Sequence, residues 1–313
     1  MPYKDWFYKT LTTLSIILLL VIAVNYLNDP LWVSDRVNFL NKEQQGFNER
    51  QQKTNKLFFT EKKYDSVMLG NSKVTYINQN HFKNAKLFNY ALSDMRVFEF
   101  DDYINFFKEK MGQAKYIILG IDFSSCLERE VKIQKPEFYI QNSKSNFYQY
   151  KQLLSYDTLL YSFRNFLKIF SSKKTIYDRN NVKIKQNYKM IDDFEIDLKE
   201  WEEDAKKDYQ LAKYNKNFEK NFSKIRLNNP KSKIITIFLP DFMPKFLFYD
   251  KSKAIYNSCV KDAEKYSDLV FNFMKFNKIT IDPNNYYYGS HFKPEIGKWI
   301  MDSVIPYIIK KPL

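Results

Sequence analysis

Histidine and cysteine are nearly missing from this chain, with two of each in 313 residues. Two thiols with no histidine beside them are too few ligands for a structural metal site. Scattered acids add no metal signature, so neither a metal nor another cofactor is expected. Beyond residue 27 no apolar run reaches membrane length, which excludes a multi-span membrane protein. There is no compact Lys/Arg stripe and no nucleic-acid motif, so nucleic acid is not an expected partner. Glycine is scarce as well, at six residues.

What is present is a chain long enough to bury a full core. Hydrophobic residues are 44% and aromatics 18%, which excludes a disordered chain. Fifty Lys and Arg against 36 Asp and Glu give +14, a balance drawn to anionic lipid or anionic polysaccharide. Residues 10–27, TLTTLSIILLLVIAVNYL, carry no charge and are about long enough to cross a bilayer as a helix. Lys4 and Lys9 precede them with only Asp5 opposing; Asp29 and Asp35 follow, with Arg36. The positive-inside rule then leaves residues 1–9 in the cytoplasm. The expectation is a single-pass inner (cytoplasmic) membrane protein whose main domain is periplasmic or otherwise extracytoplasmic. A cleaved signal peptide is the rival, but no small-x-small site follows the apolar run. In an oxidising compartment Cys126 and Cys259 can pair; the plainer reading is two unpaired thiols.

Residues 28–62 are polar and charged after Trp32 and read as a stalk. Short apolar runs then alternate with helical spacing. Strands are expected at 64–70, 85–92, 114–123, 231–240 and 268–276, and helices at 98–111, 253–266 and 294–309. This rhythm predicts an α/β fold with a mostly parallel sheet flanked by helices. Residues 130–225 break it, rich in Tyr, Lys, Asn and Asp, and read as a mainly helical insertion between core parts 63–129 and 226–313.

The chemistry turns on Ser72. The run Val67-Met68-Leu69 ends at Gly70-Asn71-Ser72, a turn able to hold a hydroxyl in the open. A serine nucleophile needs a base, and only His81 and His291 are available. His81 follows too closely for the chain to return to the strand end. His291, in the loop before the closing helix, comes back to the same sheet edge as the first strand's loop and is the better base. Taken singly, a turn serine and a loop histidine are ordinary structural residues. The run Tyr286-Tyr287-Tyr288 suits sugar stacking or, more commonly, a buried core.

In order and spacing, the blocks VMLGNSKV, FNYALSDMRVFEF, IILGIDF, a strand ending FLP, and LVFNFMKFNKITIDPNNYYYGSHFKPEIG resemble the SGNH (GDSL-like) hydrolase superfamily. With the anchor and Asn28-Asp29-Pro30, the chain is most similar to the membrane-anchored branch related to DltD and the alginate O-acetylation proteins of bacterial surface-polysaccharide operons. The resemblance implies a three-layer fold, Ser72 as nucleophile and His291 as base. It also implies oxyanion donors from the Ser72 N–H and from the Ser93–Asp94 turn, where Asp94 stands at the family's glycine. Asp122 occupies the family's asparagine position; an ionised Asp cannot donate, which leaves it a supporting role. The family's acid, three residues before the histidine, is Tyr288 here. The acid often found at the end of the preceding strand is Asn272, and the nearest upstream is Asp282. Three arrangements stay open: a Ser–His dyad with Tyr288 or a backbone carbonyl holding the imidazole, substitution by Asp282 or Asp122, or a degenerate site. The implied activity is acyl esterase or O-acetyltransferase on a surface polysaccharide, beside a multi-span membrane O-acyltransferase. The alternative is an accessory protein that binds glycan or that acyltransferase.

Overall fold

A computed structural model describes residues 2–128, 133–167, 176–185, 209, 212–243, 247, 249–287 and 291–310. The chain divides into two compact units. One comprises Met1–Glu61, Glu137–Arg179 and Lys185–Asn187; the other comprises Lys62–Pro136, Asn180–Ile184 and Tyr188–Leu313.

The first unit begins with helix α1 (Pro2–Asn28), whose stretch Tyr3–Asn28 is long and apolar enough to cross a membrane. Pro30 cannot continue a helix, and the Asn28 amide folds back onto the Val24 carbonyl at 3.1 Å. Strand β1 (Glu43–Gln45) and helix α2 (Glu49–Phe59) follow. The Asn48 side chain caps α2 by accepting from Gln51 N at 3.1 Å. Residues Gln51–Leu57 of the expected stalk are buried, and amides make the contacts. Gln52 donates to Pro30 O at 2.8 Å and Asn55 to Leu31 O at 2.8 Å. Helices α4 (Pro136–Lys144), α5 (Tyr148–Leu154) and α6 (Tyr156–Leu167) and strand β5 (Ile176–Asp178) complete the unit. β5 pairs antiparallel with β1, and the buried Arg179 holds Asp29 at 2.9 Å. Helices α4 to α6 and β5 fall in the insertion; its charged stretch EWEEDAKKD lies outside the described residues.

The second unit is built on five strands: β2 (Ser66–Gly70), β3 (Leu87–Asn89), β4 (Tyr116–Ile121), β7 (Lys233–Phe238) and β8 (Leu269–Asn272). A short strand β6 (Lys183–Lys185) also occurs. The sheet order is β3-β2-β4-β7-β8, with every pairing parallel. β2, β4 and β7 are buried throughout, so they read as mostly apolar runs rather than alternations, with only Ser66, Lys233 and Thr236 polar. Helix α9 (Pro294–Lys310) lays Ile296, Ile300, Met301, Val304 and Ile308 against Met68, Ile118, Ile235 and Ile237 on one face. Phe238, pointing the other way by strand alternation, meets Tyr256 of α8 (Asp250–Tyr266) at 5.6 Å between rings. On that side α7 (Phe218–Asn228) packs between α8 and α3 (Val97–Met111). The chain is therefore α/β, a five-stranded parallel sheet flanked by helices, with one N-terminal apolar helix. The cysteines are not free thiols: Cys126, in the turn after β4, is disulfide-bonded to Cys259 of α8, with Cα atoms 5.8 Å apart.

Candidate functional site

In a parallel sheet all the loops that leave strand C-termini gather on one edge. Here that edge receives Ser72 after β2, Asp122 after β4, Asp241 after β7 and the segment bearing His291 after β8.

Two of the six glycines shape the serine turn. Gly70 and Gly120 are register partners on β2 and β4. A Cβ on either would lie 2.3 Å from Cγ2 of Val74, so the pair clears the space that Val74 fills. Gly70 also has φ +155°, which L side chains rarely adopt. With Val74 seated, the chain turns at once: Val74 N bonds Asn71 O at 3.1 Å and Thr75 Oγ1 bonds Ser72 O at 2.5 Å. Ser72 is left half-buried at the edge, with its hydroxyl free of the sheet.

Ser72 Oγ lies 2.7 Å from His291 Nε2, across 219 residues of sequence. His291 is placed by its backbone: its carbonyl accepts from Tyr287 N at 2.7 Å, Tyr286 and Phe292 form a β-bridge, and Lys293 N bonds Asn285 O at 2.9 Å. Phe292 is fully buried beside it, and Tyr76 meets the imidazole edge-on with ring centres 6.4 Å apart. His81 sits in a 3-10 turn, Gln79–His81, and it is His291 that reaches the serine.

The two acids expected as substitutes for the imidazole's orienting acid, Asp282 and Asp122, are engaged elsewhere. Asp282 accepts from Asn284 N at 2.9 Å, capping its own short turn. Asp122 Oδ1 accepts from Ser125 N at 3.0 Å and from the Ser124 and Ser125 hydroxyls, each at 2.8 Å. Tyr288 lies outside the described residues. Asn272 accepts from Tyr256 Oη at 2.7 Å and from Met274 N at 3.0 Å. Asp94 is in the left-handed region at φ +55°, the conformation a glycine would favour, and pairs with Arg96. Its turn is tied to the serine strand, since Leu92 N donates to Gly70 O at 3.0 Å. Of the tyrosine run, Tyr286 is buried in the core and Tyr287 is half-buried.

An ion triad adjoining the serine turn was not expected from the sequence: Lys73 and Asp122 are buried and Asp241 is partly buried. Lys73 Nζ lies 3.0 Å from Asp241 Oδ2 and 3.8 Å from Asp122 Oδ2. Burial by itself would lower the lysine's pKa, but Asp241 and then Asp122 outweigh it and hold the pKa above its ordinary value. Burial would likewise raise that of Asp122. Lys73, with hydrogen bonds from Ser125, Ser124 and Asn71, instead holds it below the carboxylate range. Both shifts favour the charged forms of Lys73 and Asp122, and the triad ties together the C-terminal ends of β2, β4 and β7. One signal for it was available: a lysine next to the turn serine and an acid just past the apolar run FLP both fall at C-terminal strand ends. Ser124 and Ser125 also open onto a polar cleft of about 590 Å³ lined by Arg96, Asn215, Asn217 and Asn221.

A hydroxyl 2.7 Å from an imidazole nitrogen can give up its proton as it attacks a carbonyl. Among the described residues no group of three or more His, Cys, Asp or Glu gathers as a metal site. No protein-family model and no curated protein matches the chain.

Proposed function

We propose that this protein is a membrane-anchored, extracytoplasmic acyl esterase or O-acetyltransferase that acts on a cell-surface polysaccharide through Ser72 and His291. The observation that carries the reading is the 2.7 Å contact between Ser72 Oγ and His291 Nε2 at the C-terminal edge of a parallel sheet. Ser72 attacks the ester carbonyl while His291 takes its proton. His291 then gives the proton to the departing alcohol, leaving an acyl-serine. Water resolves that intermediate in an esterase; a sugar hydroxyl resolves it in a transferase. The polar cleft beginning at Ser124 and Ser125 suits a glycan acceptor. The likeness to SGNH hydrolases of polysaccharide operons points the same way and brings a multi-span membrane O-acyltransferase as the acyl-donating partner.

Two features support the location. The last turn of α1 belongs to the folded first unit, because Asn25 is buried and donates to the carbonyls of Leu153 and Ser155 at 3.0 and 3.3 Å. That favours a retained anchor over a cleaved leader. The disulfide suits an oxidising compartment.

A second reading has its own observation. Asp122, at the family's asparagine position, is locked to Lys73, Ser124 and Ser125 and offers no oxyanion donor. On that reading the protein is a degenerate accessory subunit that binds glycan or the acyltransferase.

The test is mass spectrometry of the full chain in detergent after fluorophosphonate treatment, beside Ser72→Ala and His291→Ala. An adduct on Ser72 that vanishes in both variants supports the enzyme. Folded protein that takes no adduct, where a known serine esterase is labelled, leaves the accessory reading.

A further inference from the structure

Helix α6 is built inside out. Its buried residues are Thr158, Ser162 and Asn165, all polar and spaced as one helical face. Tyr156, Phe163, Phe166 and Leu167 are each more than half exposed, as is Leu154 at the end of α5. A helix in water does the reverse.

Two residues of the polar face hold α1, while the Thr158 hydroxyl donates to Gln152 of α5 at 2.8 Å. Ser162 Oγ donates to Asn25 Oδ1 at 3.0 Å, and Asn165 Nδ2 to Asn28 Oδ1 at 3.4 Å. The Asn25 amide donates to the carbonyls of Leu153 and Ser155, at the corner between α5 and α6. This fastens the corner and α6 to the last turn of the apolar helix. A span of about 20 residues covers a hydrocarbon core of about 30 Å, so the last turn of α1 falls where hydrocarbon meets headgroups. Leu27, in that same turn, is 46% exposed and continues the apolar surface, while Tyr26, also 46% exposed, carries the Arg36 guanidinium over its ring at 3.2 Å. Tyrosines fit that boundary, and the exposed Arg164 on α6 is long enough to reach headgroup phosphates from it.

We infer that the outer face of α6, with the α5–α6 corner, is a second membrane contact, seated in the outer-leaflet interface beside the exit of α1. The occupant is the lipid bilayer: the apolar face is continuous with the exposed side chains of a membrane-length helix and is fixed at its end. The inference rests on α1 spanning the membrane, as proposed above. Its consequence is that the first unit rides on the bilayer rather than at the end of a stalk.

The experiment places one nitroxide at a time on the full chain in nanodiscs of phosphatidylcholine and phosphatidylglycerol. Both native cysteines are in the disulfide, so a third cysteine is the labelling site. The variants are Phe163→Cys and Leu167→Cys on α6, Leu14→Cys within the span, and Lys42→Cys as an exposed polar control in the same unit. Intact mass checks that each takes one label. Collision with oxygen, which partitions into lipid, is compared with collision with a water-soluble nickel chelate. The expected result is oxygen preference at 14, 163 and 167 and nickel preference at 42. Nickel preference at 163 and 167 with oxygen preference at 14 would overturn the α6 contact and leave the span intact. Nickel preference at 14 would remove the span and this inference with it. Labels at 163 and 167 shielded from both reagents would overturn it in favour of a protein-covered face.

Discussion

Lys73 follows the candidate nucleophile directly, and its charge cannot be removed alone. Lys73→Met leaves Asp122 and Asp241 facing each other without a cation. Breaking a buried ion pair from one side costs about 3–5 kcal/mol. The urea midpoint at neutral pH should fall accordingly; a loss below about 1 kcal/mol would mean that solvent screens the triad as it does a surface pair. The pH dependence has a definite sign on each side. Asp122 has a folded pKa below the ordinary 3.8, so its contribution is full above 3.8 and is lost as pH falls through the lower folded value. Lys73 has a folded pKa above 10.5, so its contribution is full below 10.5 and is lost as pH rises through the higher folded value. Stability measured across pH should therefore show an acid-side loss beginning near 3.8 that is smaller in Asp122→Asn. An equal acid-side loss in that variant would assign the effect to other carboxylates.

Elements buried on both faces were the legible ones. β2, β4 and β7 are mostly apolar runs, and α3, α8 and α9 carry helical spacing, so these core elements of the second unit could be located from sequence. The segment 28–62 hid its packing because Gln51, Gln52 and Asn55 make its contacts, and amides look the same in a solvated stalk as in a packed one. In α6 the period was visible, but nothing in it tells which face is outside. The pairing of Ser72 with His291 was legible because a chain with two histidines offers few partners to a turn serine. The triad was not, because its charges come from three strands whose order the sequence does not contain. The fit of Val74 into the gap at Gly70 and Gly120 is also an element-scale property. Gly120→Ala drives a methyl toward Val74 and should cost about 1–3 kcal/mol while slowing fluorophosphonate labelling of Ser72. Adding Val74→Ala should recover part of both. Labelling unchanged in the single variant would separate the turn's packing from the serine's reactivity.

At the scale of the whole chain, the second unit is discontinuous in sequence. The chain leaves it after Pro136, supplies Glu137–Arg179 and Lys185–Asn187 to the first unit, and stays in the second from Tyr188. Cys126 and Cys259 lie within the second unit on either side of that excursion, 133 residues apart. A cross-link closing so long a loop acts mainly on the unfolded chain, and loop entropy sets an upper figure of about 5 kcal/mol. Cys126 also lies in the turn that Asp122 caps, so the bond anchors one corner of the site to α8. Replacing both cysteines with serine should therefore lower the denaturant midpoint of the full chain and make it insensitive to added reductant. The wild type should fall toward the same midpoint when reduced. Because the Ser72–His291 contact does not involve the disulfide, serine labelling at low denaturant should persist in the variant and disappear at a lower denaturant concentration than in the oxidised protein. A variant as stable as the oxidised wild type would mean that packing around α8 already holds the two halves of the second unit together.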